Sequence, residues 1–593
     1  MNFLIFIAIQ CGHNSTIGLS IDGKIISVIS EERITRKKNF EGFPIESLKY
    51  IKSKYLNNDF SKVNKFLIID ETGQTLNFVN QQINQKEIKS NFKYNENLNK
   101  KMLILSIYNL LPKALVRNVA KIRRKIKNKN LNLENKNRIL KKIFRLFPDI
   151  AFNLNKVEFY NHHEMHALSF CYFFDNIDDE LLVFTMDGEG DEISSSVSTF
   201  KDGKIKKISE NSSNYSVGYL YSQITSYLGL KPFEHEFKVM GMAPYGKSED
   251  VSRIYSKINH LLYLDNKGNF KSKITSNLFK FEIVKFLIHE KFQNICGAIQ
   301  KMTESLILSW VNFWIKKKSI NKIIVSGGVF MNIKACKELL SQNEVESLFV
   351  VPSSTDDSLI FGALWKANKN QNINIKKIEN LYLGRNFKNE AENFIQNNIS
   401  EDRYEILKFE NYQKLNDHVS DLLCKNEIIG RCYGREEWGA RALGNRSIIC
   451  NPSKLENVRL INTAIKERDY WMPFSPTILD IDEKKYLYNK KKFSSDFMTC
   501  LFDSTDLARK DLICAIHPMD FTMRPQVLKE SQNPSYYDLI SKFKNKSNIG
   551  AVLNTSFNLH GFPNVSSHQD AFFTFENSNL KYLIIENYLI KKN

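Results

Sequence analysis

No stretch of this 593-residue chain approaches the roughly 20 consecutive apolar residues that a membrane-spanning helix needs, so an integral membrane protein built on helices is excluded. Nine cysteines run from Cys11 to Cys514 without a CxxC pair. That argues against both a disulfide framework and a cysteine zinc site, and the cysteines read as reduced core residues. The first residues lack a basic leader and a small-residue cleavage site; Phe3 to Ile9 reads as a buried strand, and a cytoplasmic location is expected. Acidic residues are the minority, 65 Asp and Glu against 84 Lys and Arg, which leaves a net charge of +19. Much of the excess is lysine scattered through Asn- and Ile-rich segments, so nucleic acid is not expected as a partner.

What is present belongs to a globular protein. The chain is 42% hydrophobic and 25% charged, and its length calls for two or more domains. Phe3–Ser30 alternates apolar strand, Cys11-Gly12-His13-Asn14 turn, strand, Asp22-Gly23 turn and strand. Leu181–Ser209 repeats the plan with Asp187-Gly188-Glu189-Gly190 and Asp202-Gly203 as its turns. Duplicated hairpins of this kind fit a two-lobed, actin-like ATP-binding fold. Between them lies an insertion, 75–150, with apolar residues at helical spacing among basic ones from Met102 to Leu146. These helices cover a domain or lie on an anionic membrane surface, an option that nothing in the chain requires. Composition turns polar through Asn368–Lys377, strands resume near Tyr382 and at Glu405–Phe409, and the domain boundary is placed there.

Several motifs carry chemistry. Gly434 to Ser447 packs Arg435, Arg441 and Arg446 among three glycines; arginine forks and close backbone approach suit a small phosphate-bearing ligand, the alternative being a surface helix with solvated arginines. In Asn161–Ala167, His162 and His166 stand four residues apart and share one face of a helix, where they can hold a divalent metal. Asp187 and Asp356, each following an apolar strand, can complete the shell, and two His with two Asp suit iron, manganese or zinc better than magnesium. Ser326-Gly327-Gly328-Val329-Phe330-Met331-Asn332 reads as a strand-to-helix junction that cradles phosphate or packs on a purine. Lys238-Val239-Met240-Gly241-Met242-Ala243-Pro244-Tyr245-Gly246 reads as a second such loop, or as a plain turn.

Taken together, GHNS (Gly12–Ser15), EERITRKK (Glu31–Lys38), HHEMHA (His162–Ala167), MDGEGD (Met186–Asp191), KVMGMAPYG, SGGVFMN, GREEWGARALGNRSI and LNTSFN (Leu553–Asn558) resemble the O-carbamoyltransferase family, which includes nodulation-factor and antibiotic carbamoyltransferases. The likeness spans nearly the whole chain in order. It implies an α/β architecture: an actin-like domain over 1–375, similar to the tRNA threonylcarbamoyl-transfer protein, and a YrdC-like α/β domain over 395–593.

In that scheme the second domain takes carbamoyl phosphate and ATP with magnesium, and forms carbamoyl-AMP and pyrophosphate. The first domain passes the carbamoyl group to a hydroxyl of a small molecule or glycan. A divalent metal, iron before manganese or zinc, is implied at His162, His166, Asp187 and Asp356. His13 falls where the family has a histidine at the acceptor site and is expected to be the general base. Asn14 follows it where many relatives carry aspartate. Arg441 and Arg446 are expected to act on the phosphates, together with Lys466, Arg468 and Arg524. Asn554 and Ser556 are expected to bind polar atoms of the ligand, with Lys38, Lys238, Gly241, Gly327, Gly328 and Asn332 lining the nucleotide path. His560 and Phe562 depart from the family's frequent basic and acidic residues. A sugar kinase of the same fold leaves the ARALGNRS and LNTSFN blocks without a role, and a tRNA-modifying enzyme usually divides the two domains between chains. Acceptor and oligomeric state stay open.

Overall fold

The computed structural model describes residues 3–89, 131–175, 177 and 179–593. Its first sheet contains β1 (Ile5–Gln10), β2 (Thr16–Ile21), β3 (Lys24–Ser30), β4 (Lys65–Ile69) and β5 (Val157–Tyr160), in the order β3-β2-β1-β4-β5. The second contains β6 (Leu181–Gly190), β7 (Ile193–Lys201), β8 (Lys204–Ser212), β9 (Lys322–Ser326) and β10 (Ser347–Val350), in the order β8-β7-β6-β9-β10. The plan is the same twice. In each lobe the first strand pairs antiparallel with its hairpin partner and parallel with the fourth strand, with Ile5 opposite Ile21 and Phe6 opposite Lys65 in the first lobe. β1 is buried along its whole length because helices cover both faces, which is why it reads as an unbroken apolar run. The hairpin repeat of the sequence therefore becomes two lobes of the actin-like kind.

Helices fill the connections. After β3 the chain turns into α1 (Glu31–Thr35) and α2 (Ile45–Tyr55); the Glu31 carboxylate accepts from Glu46 N (2.9 Å), Ser47 N (2.8 Å) and Ser47 Oγ (2.6 Å), capping the N-terminus of α2. α3 (Gln74–Lys89) and α4 (Leu133–Leu146) follow β4. The expected basic helices lie outside the described residues from Met102 to 130. In α4, Asn132 caps the first turn, and Ile139, Leu140, Ile143 and Phe144 pack into the lobe, so the apolar stripe is core rather than a face offered to lipid. The remaining elements that position the site are α5 (His162–Leu168), α6 (Val217–Tyr227), α7 (Glu236–Met242), the 27-residue core helix α8 (Phe292–Lys318), α9 (Ile333–Ser341) and α10 (Leu359–Asn370).

The C-terminal part is a mixed eight-stranded sheet: β11 (Tyr404–Lys408), β12 (Ile429–Cys432), β13 (Arg446–Cys450), β14 (Ser475–Leu479), β15 (Gln526–Leu528), β16 (Ala551–Ser556), β17 (Tyr582–Ile585) and β18 (Tyr588–Lys592), ordered β11-β18-β17-β12-β13-β16-β14-β15. The strand expected near Tyr382 does not form. That segment runs extended beside β3, its Leu383 carbonyl accepting from Val28 N at 2.9 Å, and regular pairing resumes only at Tyr404. Arginines join the two parts. Arg33 donates to Val565 O (3.3 Å) and Gly439 O (3.0 Å), Arg36 to Asn564 O (2.7 Å) and Pro563 O (3.0 Å), and Arg435 to Ile26 O (2.6 Å) and Leu383 O (2.7 Å).

Candidate functional site

Two clusters of polar side chains converge near the junction of the lobes and the C-terminal sheet. In the first, α5 starts behind Asn161, whose side chain accepts from Glu164 N at 3.0 Å, and presents His162 and His166 one turn apart with ring centroids 4.7 Å apart. Asp187 stands at the end of β6, where the register breaks between Met186 and Gly190; Asp356 stands in the short turn Asp356–Ser358 leading into α10. His166 Nε2 lies 3.2 Å from Asp187 Oδ2 and 3.9 Å from Asp356 Oδ1. His162 Nε2 lies 3.9 Å and 3.7 Å from the same two atoms. One ligand atom from each residue falls within 4.8 Å of the others.

Tetrahedral ligands on bonds of about 2.1 Å sit about 3.4 Å apart, so this spacing fits a shared ion. Both Nε2 atoms are buried without a hydrogen-bond partner, which a buried ring nitrogen ordinarily finds. The residues therefore fit a metal, and their mixed imidazole and carboxylate donors suit iron, manganese or zinc.

The surroundings hold these ligands in place. Gly188 N and Gly328 N donate to the two oxygens of Asp187 (2.6 and 3.0 Å), Gln10 Nε2 donates to Asp356 Oδ2 (3.4 Å), and Ser326 Oγ faces His166 Nδ1 (3.3 Å). A Cβ at Gly190 would come within 2.2 Å of the His162 ring, so any side chain there displaces the imidazole. Asp191 accepts from His162 N (2.7 Å) and from Thr72 N (2.9 Å) and Oγ1 (2.8 Å), tying the first lobe to the start of α5. His163 turns away to Thr185 Oγ1 (2.7 Å) and Ile193 O (3.0 Å), and burial drives its pKa well below the usual value. Burial also opposes charge on His162, yet Asp356 and then Asp187 outweigh it and raise that imidazole to about 9. Burial lowers His166 and raises Asp356.

The second cluster is cationic. Burial lowers Arg441 and Arg468 each to about 10, and Arg468 adds to the effect on Arg441. Lys466 and Arg524 are pushed down by burial first; Arg468 and Lys38 then act on Lys466, and Arg441 and Arg468 on Arg524. Among the described residues, no carboxylate acts on any of these four. Lys466 Nζ donates to Ser556 O, to Ser556 Oγ (3.1 Å) and to Asn558 Oδ1 (2.7 Å). Arg524 Nη2 donates to Ser475 Oγ (3.0 Å) while its buried Nε has no partner. Asn554 Nδ2 donates to Ala442 O and Thr477 Oγ1, both at 3.0 Å, and its buried Oδ1 is likewise unpartnered. Like charges gathered in partly buried surroundings repel unless an anion lies among them, so the arrangement is one that can accept an anion.

Lys38 stands at the edge of this cluster: partial desolvation lowers it, the Glu32 and Glu234 carboxylates oppose that, and Arg468 and Lys238 add to it, while Lys238 pairs with Asp469 at 2.9 Å. His13 is half-buried in the β1–β2 turn and acts electrostatically on Asp356, which brings it toward the metal-type cluster. Asn14 beside it holds a left-handed backbone, φ 50°.

Three expectations change. Arg446 is fully buried, with Nε on Ser566 O (2.8 Å), Nη1 on Tyr433 O (3.1 Å) and Asn445 O (2.9 Å), and Nη2 on Gly434 O (3.1 Å); it braces its own loop, and of that loop's three arginines only Arg441 joins the cationic cluster. The Lys238–Gly246 segment is no open loop: it forms α7 and a tight turn, and Gly241 O meets His517 Nε2 at 2.9 Å. At the Gly327-Gly328 junction, Gly327 takes φ 104° against β6 and Gly328 N is engaged by Asp187, so that amide serves the ligand carboxylate rather than a phosphate. Asn332 caps α9 through Ala335 N (3.1 Å) and exchanges hydrogen bonds with Gln300. Gln10 and Ser326 went unrecognised as supports because only the tertiary fold brings them to the ligands. Asp191 sat in plain view within MDGEGD, four residues past Asp187, without a sequence signal for its helix-capping role.

Family models match both parts of the chain. A family model described as carbamoyltransferase N-terminus matches residues 6–364, and one described as carbamoyltransferase C-terminus matches residues 420–592. An uncharacterized protein of Methanocaldococcus jannaschii is 30% identical over 96% of this chain and 93% of its own length. Nodulation protein NolO of Bradyrhizobium diazoefficiens is 27% identical over 73% of this chain and 79% of its own. The 3'-hydroxymethylcephem-O-carbamoyltransferase of Streptomyces clavuligerus is 23% identical over 55% of this chain and 58% of its own.

Proposed function

The chain belongs to the carbamoyltransferase family, and from that premise we propose that it is an ATP-dependent O-carbamoyltransferase with carbamoyl phosphate as donor and a hydroxyl-bearing small molecule or glycan as acceptor. The observation that carries the reading is the cluster of buried Lys466 with half-buried Arg441, Arg468 and Arg524, on which no carboxylate among the described residues acts and which suits the phosphates of a donor and a nucleotide. In the first step, water and carbamoyl phosphate give carbamate and inorganic phosphate. A carbamate oxygen then attacks the α-phosphorus of ATP, and pyrophosphate leaves. The cations neutralise the charge that gathers on the leaving phosphates, and Asn554 Oδ1, buried and unpartnered, accepts a hydrogen bond from the carbamoyl amino group.

In the second step the acceptor hydroxyl attacks the carbamoyl carbon, its proton passes to His13, and the bond to AMP breaks. His162, His166, Asp187 and Asp356 would hold a divalent metal, which supplies electrostatic stabilisation of developing oxyanion charge. Closure between the two parts keeps bulk water from a mixed anhydride that it would hydrolyse.

The test omits the acceptor. Purified protein is incubated with ATP, carbamoyl phosphate and magnesium, with iron, manganese or zinc added in turn, and carbamoyl-AMP and pyrophosphate are followed by mass spectrometry. The expected result is formation of both, reduced at least 100-fold in Arg441→Ala. Absence of the adenylate under every metal overturns the ATP-dependent scheme.

A further inference from the structure

The turn between α6 and α7 breaks a local rule beside the metal-type cluster. Lys231-Pro232-Phe233-Glu234 places proline second and a left-handed residue third, with Glu234 N reaching back to Lys231 O at 3.4 Å. Glycine or asparagine usually fills that third position, because a Cβ is strained there. Here it is Phe233 at φ 64°, a large aromatic that remains 53% exposed. Neither conformational ease nor burial accounts for the residue.

Its neighbours hold it in place. Phe233 N donates to Glu236 Oε1 at 2.7 Å, and Ser222 Oγ fixes the same oxygen at 2.7 Å. The ring meets Tyr219 edge to face, 6.0 Å between centroids, and the Tyr219 hydroxyl is anchored on Glu189 Oε2 at 2.8 Å. The Phe233 ring edge also reaches Gly188: a Cβ built there would stand 3.9 Å from Cε1. Gly188 is the residue after Asp187, one of the four candidate ligands. On the other side Glu234 meets Lys38 and Asn39 of the first lobe. An aromatic surface thus stands, strained and solvent-facing, at the rim of the cleft where the transfer step is placed.

Resting on that reading, we infer that Phe233 is the acceptor platform: its ring stacks against the apolar C–H face of a sugar ring whose hydroxyl receives the carbamoyl group. A pyranose offers an apolar face and a polar edge at once, and suits an aromatic ring set among the carboxylates of Glu189 and Glu234. Backbone strain kept at an aromatic that stays more than half exposed is a feature of binding sites.

The test uses a panel of methyl hexopyranosides and saturation-transfer-difference NMR on the full chain. Transfer to axial ring protons of at least one glycoside is expected, falling at least five-fold in Phe233→Gly and retained in Phe233→Tyr. Melting temperature separates binding from structure: Phe233→Gly should melt at or above the parent, since glycine relieves the backbone. Carbamoyl-AMP formation should be unchanged in both variants, so its absence in the parent would count against the donor chemistry and not against the platform. No transfer to any glycoside, transfer indifferent to Phe233→Gly, or a clear loss of melting temperature in that variant overturns the inference.

Discussion

Arg468 shows what a site residue does to its own fold. It stacks over Phe474 at 5.1 Å, and its charge weighs on Arg441, Lys466 and Arg524 while no carboxylate among the described residues answers. Such an arrangement destabilises the ligand-free protein by about 1 kcal/mol for each unscreened pair. Arg468→Gln should therefore raise the melting temperature of the ligand-free protein by about 2 °C. It should also abolish the rise that pyrophosphate produces in the parent, which is about 2.7 kcal/mol at a hundredfold excess over its dissociation constant. Differential scanning fluorimetry in phosphate-free buffer reads both. A lower melting temperature in the variant would make Arg468 a structural residue and remove the argument for an anion. Arg446 gives the contrasting case: with backbone carbonyls on four of its five N–H groups, its removal should unfold the loop whether or not a ligand is present.

Among the elements, the junction of β4 and α3 carries the clearest pH dependence. Asp70 is buried and accepts from Leu76 N (2.8 Å) and Thr75 N (3.3 Å); burial, with Asp191 nearby, raises its carboxyl from 3.8 to about 6. The folded state thus favours the protonated form. The stabilisation is complete below about pH 4 and is lost as pH rises through 6, at most about 3 kcal/mol. Asp70→Asn keeps an acceptor for the helix and removes the ionisation. Its melting temperature should gain on the parent between pH 4 and 7, and a constant difference across that range would refute the account. Elements of this part were readable in the sequence to different degrees. The hairpins β1–β3 and β6–β8 follow from alternating apolar residues and Asp-Gly turns, and the histidine pair of α5 from its spacing. The parallel strands β9 and β10 carry no pairing signal, since parallel partners are far apart in the chain. Gly241 and Pro244 mark a turn locally and so mask the α7 helix, in which Gly241 packs closely against Trp471 and Met472 of the C-terminal part. Arg446 and Arg441 look alike in sequence; only the fold decides which guanidinium is saturated by carbonyls.

On the scale of the whole molecule, EERITRKK divides its work between joining and binding. Arg33 and Arg36 hold carbonyls of residues 439 and 563–565, Arg36 also pairs with Asp570 at 3.4 Å, and Lys38, two residues on, stands at the edge of the cationic cluster. One short segment therefore couples the position of Lys38 to the seam between the two parts. Charged donors on buried carbonyls contribute about 1.5–3 kcal/mol each, enough that losing one loosens the seam without unfolding either side. Under the proposed two-step reaction the consequence is leakage. Arg36→Ala should still form the adenylate, but more of it should meet water, and AMP released per carbamoyl group transferred should rise several-fold. The ratio is measured by quantifying AMP and carbamoylated acceptor in one reaction, with hydrogen exchange at the Asn564 and Val565 amides confirming that the seam has opened. An opened seam with an unchanged ratio would mean that the intermediate is protected within one part alone, and that the arginines serve stability rather than transfer.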